Sequence, residues 1–333
     1  MRVLLLRDKK PGHFNQVEAV GRILAEMGAA VDRVDVRPAW YAHGEVLKAA
    51  ANHWRGAPGT MLRRLYGFDS DRAAPGLLVG SGRPTIAAGM FLRRQHGAPF
   101  LYIGRVSGYP SAEVDRQIVH NPREAHDSGC VWAPLPTLIR RADLPAPRPL
   151  ATPGDLAGAT VGLLVGGPAH GHHFDDGDWT DLENLVAALA SRGVRWLATS
   201  SRRTPVPVIE RCRALERHGI VERFVDHRAE GAGSAEAIFA ADALVVTEDS
   251  QSMIAEALAA GRPVVALKPR RVSPSSANEI VAAWAAAGGL SVVPLRAPAD
   301  LVVAALIATS TSPDPEPVLS DVLRAVLEDL KVR

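Results

Sequence analysis

Short apolar runs that end in glycine- or hydroxyl-rich loops and lead into helical patterns recur along this chain, and few folds accept that rhythm. Val3 to Leu6 ends in Asp8-Lys9-Lys10-Pro11-Gly12-His13. Val17, Val20, Ile23, Leu24 and Met27 then repeat at helical spacing before a second strand at Val31 to Val36. Gly76 to Gly80, the Ser81-Gly82-Arg83-Pro84 turn, Ile86 to Arg94 and Phe100 to Ile103 repeat the unit. Alternation of this kind predicts a mostly parallel sheet with helices on both faces.

The rhythm breaks between Arg141 and Gly158, where Pro145, Pro147, Pro149 and Pro153 interrupt regular structure, and it then restarts. The second series runs through Thr160 to Val165, a helix near Trp179 to Arg192, Val194 to Thr199, Ile220 to Val225, Ala243 to Val246, a helix from Ser250 to Ala260, and Val264 to Leu267. A chain of 333 residues is long enough for two cores. The expected organisation is an N-terminal Rossmann-like domain over 1–145, a C-terminal one over 155–310 and, after Ser312 to Pro317, an amphipathic helix at 318–333 long enough to pack back across the first domain.

A net charge of +2 gives no basis for nucleic-acid binding, so any anion site has to be local. Cys130 and Cys212 lack metal-type spacing and read as reduced thiols. The apolar run at the N-terminus is shorter than a signal-peptide core, which points to a cytoplasmic protein. Gly80-Ser81-Gly82 lacks the third glycine of a dinucleotide fingerprint, and no hydrolase elbow, Walker loop or zincin pattern is present.

In open parallel sheets ligands bind beyond the carboxyl ends of the strands. The loop Gly166-Gly167-Pro168-Ala169-His170-Gly171 lets backbone approach a phosphate, or is a tight turn. Thr199 to Pro205 offers three hydroxyls before Arg202 and Arg203, whose forks suit phosphate, or serves as a capped helix start. Val245 to Pro263 delivers Thr247, Glu248, Asp249, Ser250 and Ser252 to a helix N-terminus, with Glu256 further along to accept from ribose hydroxyls, or is a capping Asp or Ser followed by an exposed Glu. His170 to Asp178 imitates a metal cluster, but an acidic N-cap run explains it, and no metal is expected.

Three segments carry a family resemblance: Asp8 through Gln16 with its Pro-Gly-His-x-Asn-Gln core, Val161 through Phe174, and Thr199 through Pro205 with Val245 through Pro263. The last resembles the donor-site segment of GT-B glycosyltransferases. The whole chain resembles the mitochondrial-fission-protein-like family of bacterial proteins classed with glycosyltransferases, whose plant members are linked to mitochondrial fission. The resemblance implies a GT-B-like α/β fold of two Rossmann-like doubly wound domains facing a cleft. It also implies a nucleotide-diphosphate sugar as donor substrate in the C-terminal domain, no further cofactor, and an unknown glycan or lipid-linked acceptor in the N-terminal domain. By matching position Gly166, Gly167, Ser200, Arg202, Ser250, Ser252 and Glu256 are donor-site candidates, with Arg203 and Asp249 beside them. His13, in the first strand-to-helix loop, is the candidate base, and Asp8 is the second candidate or its orienting partner.

The expected activity is an inverting, metal-independent sugar transfer. A noncatalytic peripheral membrane or interaction protein and a nucleotide-sugar epimerase are the alternatives. The stretch 40–68 mixes Trp40, Tyr41, Trp54 and Tyr66 with Lys48, Arg55, Arg63 and Arg64, which suits either transient contact with the inner face of a membrane or a half-buried helix pair.

Overall fold

The computed structural model describes residues 1–68, 74–169, 171–230, 235–309 and 311–332. It divides into two compact units, Met1–Leu138 with Glu316–Arg333, and Ile139–Pro315. In chain order the first unit contains β1 (Arg2–Arg7), α1 (Pro11–Glu26), β2 (Ala30–Asp35), α2 (Gly44–His53), α3 (Pro58–Tyr66), β3 (Leu77–Ser81), α4 (Arg83–His96), β4 (Phe100–Ile103), β5 (Arg116–Val119) and β6 (Cys130–Trp132). The strands pair in parallel in the order β2-β1-β3-β4-β5-β6.

An unbroken apolar strand such as Val3-Leu4-Leu5-Leu6 requires cover on both faces. Val3 and Leu5 face one core with Val17, Val20 and Leu24 of α1, while Leu4 and Leu6 face another with buried residues of α2, α3 and α4. The second core absorbs the helix pair of the 40–68 stretch through Leu47, Ala51, Met61, Leu62, Leu65 and Tyr66.

The second unit contains β7 (Thr160–Val165), β8 (His172–His173), α5 (Asp176–Ala190), β9 (Arg195–Ser200), α6 (Val206–Arg217), β10 (Arg223–Val225), α7 (His227–Glu230), α8 (Glu236–Phe239), β11 (Ala243–Thr247), α9 (Gln251–Ala259), β12 (Val264–Lys268), β13 (Arg271–Val272), α10 (Ser276–Ala286), β14 (Ser291–Pro294) and α11 (Ala299–Ala308). Six strands form a parallel sheet in the order β10-β9-β7-β11-β12-β14, the doubly wound order of dinucleotide-binding folds, and β8 pairs antiparallel with β13. Val161, Leu163 and Val245 face α5, α6 and α11, whereas Leu164, Leu244 and Val246 face α8, α9 and α10.

The final helix, α12 (Pro315–Asp329), returns to the first unit, where Leu319, Leu323 and Val326 join the core of Val3, Leu5 and α1. Glu316 accepts from Arg22 at 2.7 Å, and Asp329 pairs with Arg116. The helix starts three residues before the expected Val318, because a proline in the first turn has no intrahelical bond to lose.

The proline-dense stretch is packed against the second unit. The Arg262 guanidinium donates to the Pro145 carbonyl at 2.5 Å, the Arg148 N–H donates to Asp242 at 2.8 Å, and Ile139 and Leu144 cover the α9 core. The division between units therefore falls at Leu138–Ile139, ahead of the prolines. The strand expected from Ile220 begins only at Arg223. Gly219 takes a left-handed φ of 69°, and the Ile220 N–H turns back to the Leu215 carbonyl, ending α6. Among the described residues no helix is long and apolar enough to cross a membrane.

One histidine makes the stability of the first unit depend on pH. His120 Nδ1 lies 3.1 Å from the Ala133 carbonyl, and its Nε2 is enclosed without a hydrogen-bond partner among the described residues. Burial pushes this imidazole down to about 4. A second proton binds the unfolded chain more readily, so stability is fully present above the ordinary histidine value near 6.5 and is lost as pH falls toward 4. His120→Gln should remove about 1–2 kcal/mol of that acid loss, as read from urea unfolding at neutral and mildly acidic pH.

Candidate functional site

In each sheet the strand order reverses at one place, and the loops on either side of it part to leave a crevice. In the first unit this place lies between β1 and β3. Asp8 follows β1 directly and is 3% exposed, and His13 sits in the first turn of α1, which Pro11 opens. His13 Nδ1 and Asp8 Oδ2 are 2.7 Å apart. A carboxylate can only accept, so the proton of the neutral ring is on Nδ1 and the Nε2 lone pair is left for another partner. The His13 side chain is 35% exposed and thus open to one.

Gly82, after β3, makes this pairing possible. Its φ is 89°, and a Cβ there would overlap both His13 Nδ1 and Asp8 Oδ2. The neighbouring Ser81 hydroxyl donates to Gln16 Oε1 of α1 at 2.8 Å, tying the two loops together. Tyr102 sits beneath them. Burial raises its phenol well above the ordinary tyrosine value, against a backbone hydrogen bond with Gly82 that acts the other way. Next to Asp8 a cavity of about 260 Å³ is lined by Arg7, Lys9, Phe14, Asp35 and Arg37. Arg7 is held there by Asp35 at 2.6 Å and Glu18 at 3.2 Å.

The corresponding place in the second unit lies between β7 and β11, and a carboxylate fills it. Asp249 has a side chain with no exposure. It accepts from the Gly167 N–H at 3.1 Å, the Thr247 hydroxyl at 2.7 Å and Arg203 Nη2 at 2.8 Å, while the Gly166 N–H donates to Thr247 Oγ1 at 2.7 Å. Gly166 and Gly167, expected to let backbone approach a phosphate or to form a tight turn, thus already use both N–H donors inside the protein. The glycines are needed for space: a Cβ at Gly166 would overlap the Asp249 carboxylate, and one at Gly167 the Arg203 carbonyl. Arg203 is likewise a clamp on Asp249.

Ser200 also turns away from this crevice. Its hydroxyl donates to Asp226 Oδ1 at 3.3 Å and accepts from the His227 N–H at 3.1 Å. Arg202 keeps an exposed side chain, and among the described residues its guanidinium has no ion-pair partner.

Immediately after Asp249 comes the N-terminus of α9. Ser250 is the N-cap, 5% exposed, and its side chain makes no capping bond. The first N–H groups of the helix have no intrahelical acceptor, so they and the positive end of the dipole suit an anion. Ser252 is in this first turn, and Glu256 lies one turn further on the same face. The structure thus brings Ser250, Ser252 and Glu256 together on α9, with Asp249 and Arg203 as the support behind them.

The pattern did not reveal the pair behind this support. Glu248 Oε2 lies 3.4 Å from His172 Nε2, both residues are buried, and Asn278 approaches the same nitrogen at 3.3 Å. The only hint in the sequence is a glutamate at the end of an otherwise apolar strand. Of the His170 to Asp178 run, His170 lies outside the described residues. Asp175 and Asp178 cap α5 reciprocally at 3.0 and 3.1 Å, which is the acidic N-cap expected there. Among the described residues no three His, Cys, Asp or Glu side chains gather as a metal-binding group.

Two substitutions test this geometry. Gly82→Ala should leave the fold intact and separate His13 from Asp8, seen as loss of a protected imidazole Nδ1–H signal in NMR. Asp249→Ala should strand Arg203 and the Gly167 N–H, costing about 3–5 kcal/mol in denaturant unfolding; an unchanged midpoint would show that the buried carboxylate holds nothing together.

Comparison with known proteins agrees with this architecture. MnaA from S. aureus, solved with UDP, superimposes with a TM-score of 0.62 at 11% identity, covering 100% of this chain and 97% of its own. A glycosyltransferase from Rickettsia africae gives 0.57 at 10% identity, covering 99% and 98%. The Methanocaldococcus jannaschii UDP-GlcNAc 2-epimerase, in complex with UDP-GlcNAc and UDP, gives 0.55 at 10% identity, covering 98% and 100%. The fold is thus the GT-B-like one shared by glycosyltransferases and epimerases. No curated protein matches the sequence. The profile of the mitochondrial fission ELM1 family matches residues 11–290, so the chain belongs to that family.

Proposed function

We propose that this protein is a glycosyltransferase that moves a sugar from a nucleotide-diphosphate donor to an acceptor hydroxyl with inversion. The observation that carries the reading is the Asp8–His13 contact of 2.7 Å at the crevice of the first sheet. A binding scaffold has no need of an imidazole with a fixed tautomer and a free Nε2, whereas general-base catalysis requires one. The donor side of the reading is supported by the α9 N-terminus and by the fold shared with proteins solved with UDP or UDP-GlcNAc.

The steps follow from these groups. The acceptor binds at the crevice of the first sheet and presents its hydroxyl to His13. Nε2 takes the proton of its hydroxyl as the oxygen bonds to the anomeric carbon. The bond from that carbon to the diphosphate oxygen breaks on the opposite face, and the electron pair leaves with the diphosphate. Asp8 stabilises the imidazolium that forms. The N–H groups of the first turn of α9, the Ser250 and Ser252 hydroxyls and the unpaired Arg202 take up the charge developing on the diphosphate, so the step needs no metal ion. Glu256 accepts from the ribose hydroxyls.

The test combines binding and turnover. Calorimetry with UDP, GDP, CMP, ADP and dTDP should show one nucleotide binding equally well in Mg²⁺ and in EDTA, weakened by about 1–3 kcal/mol in Glu256→Ala. His13→Gln should bind that nucleotide as wild type does and lose about 10²–10⁴-fold in transfer rate. Binding of none would leave a scaffold. Interconversion of the donor sugar in the absence of acceptor would make the protein an epimerase.

A further inference from the structure

The most exposed large apolar side chain described is Trp40, at 94%, and it stands on a turn that is fastened at two points. The Ala39 N–H donates to the Leu65 carbonyl at 2.7 Å, and the Tyr41 hydroxyl donates to the Arg64 carbonyl. The indole stacks edge-on against the Tyr41 ring at 5.6 Å. Both anchors are on the last turn of α3, which carries Arg63 and Arg64 to the surface, and Arg37, paired with Asp35 at 3.4 Å, stands three residues before the indole with a side chain that is 77% exposed. A fixed, solvated tryptophan is thus set among arginines.

The charge of this stretch is out of line with that of the chain. Between residues 37 and 68 there are five Lys or Arg (Arg37, Lys48, Arg55, Arg63, Arg64) against one acid, Glu45, a net of +4, whereas the whole chain carries +2. The remaining residues therefore sum to a net negative charge, and the basic excess is local to this stretch. Nothing in the proposed chemistry uses Trp40, Arg63 or Arg64.

We propose that this turn docks the first unit on the surface of an anionic phospholipid bilayer, with the Trp40 indole at headgroup depth and Arg37, Arg63 and Arg64 against the phosphates. Indole rings settle at the membrane–water boundary, and each nearby cation adds attraction to acidic lipid. A protein partner fits the observations less well. A specific interface buries about 800 Å² on each side around an apolar centre, and Trp40 with Tyr41 supply only the tip of one. One inserted ring and a spread of cations is enough for reversible adhesion to a charged bilayer.

Full-length protein should sediment with vesicles of phosphatidylcholine mixed with phosphatidylglycerol and stay in solution with phosphatidylcholine alone, and added salt should release it. Tryptophan emission should shift to the blue on binding. Trp40→Ala, at a site too exposed to affect folding, should keep the wild-type melting temperature, lose the shift and bind on the order of tenfold more weakly. Arg63→Gln and Arg64→Gln should each weaken binding roughly fivefold. The proposal fails if wild type does not sediment with the acidic vesicles, or if Trp40→Ala binds them as wild type does. It also fails if light scattering shows that Trp40 closes a dimer, or if RNA competes the vesicles off through the same residues. All these readouts are independent of nucleotide binding and sugar transfer.

Discussion

Strands that are apolar on both faces have to be covered on both faces, and most of this molecule follows from that requirement. Val3 to Leu6, Val161 to Val165 and Ala243 to Val246 cannot lie at a solvent-facing sheet surface. Parallel pairing with helical crossovers is the arrangement that covers both sides, and it carries every strand-to-helix loop to the same end of its sheet. The chemistry-bearing side chains gather because of this. Asp8 and Gly82 end neighbouring strands β1 and β3, just as Gly166 and Thr247 end neighbouring strands β7 and β11.

The two crevices solve different electrostatic problems. In the first unit a buried carboxylate is spent on orienting a half-exposed imidazole, and the space for it comes from a missing Cβ at Gly82. In the second unit a fully buried carboxylate accepts from a backbone N–H, a hydroxyl and a guanidinium, so these donors are already engaged. Asp249 then acts as a fixed post beside the α9 N-terminus. The first N–H groups of that helix have no side-chain cap, and the loop beside them is cross-linked by the Asp249 contacts. Preorganisation of this kind avoids reorganisation when charge develops.

The fold was legible in the sequence because it rests on local pattern: apolar runs of strand length, helical spacing such as Val17-Val20-Leu24, and turns marked by glycine and proline. The family was legible too, through Pro11-Gly12-His13 and the Val245–Pro263 segment. The proline-rich stretch was harder to place, since proline density shows that regular structure stops without showing what the segment lies on. Only the contacts of Arg262 with Pro145 and of Asp242 with Arg148 assign it to the second unit. Arg262 itself reads as a surface cation and is 2% exposed, its guanidinium held down by burial below the ordinary arginine value.

Residue type and spacing determined which loops would end the strands at the switch points, that His13 and Asp8 would share one of them, and that α9 would begin with hydroxyls. Tertiary structure decided which polar groups in those loops are still available. Gly166, Gly167, Ser200 and Arg203 look from their chemistry like phosphate ligands, yet each is engaged by a residue distant in sequence: Thr247, Asp249 or Asp226. Folding decides which donors and acceptors of such groups are already used. Pairing across 26 to 82 positions of chain is set by how strands are ordered in a sheet, which no local pattern encodes.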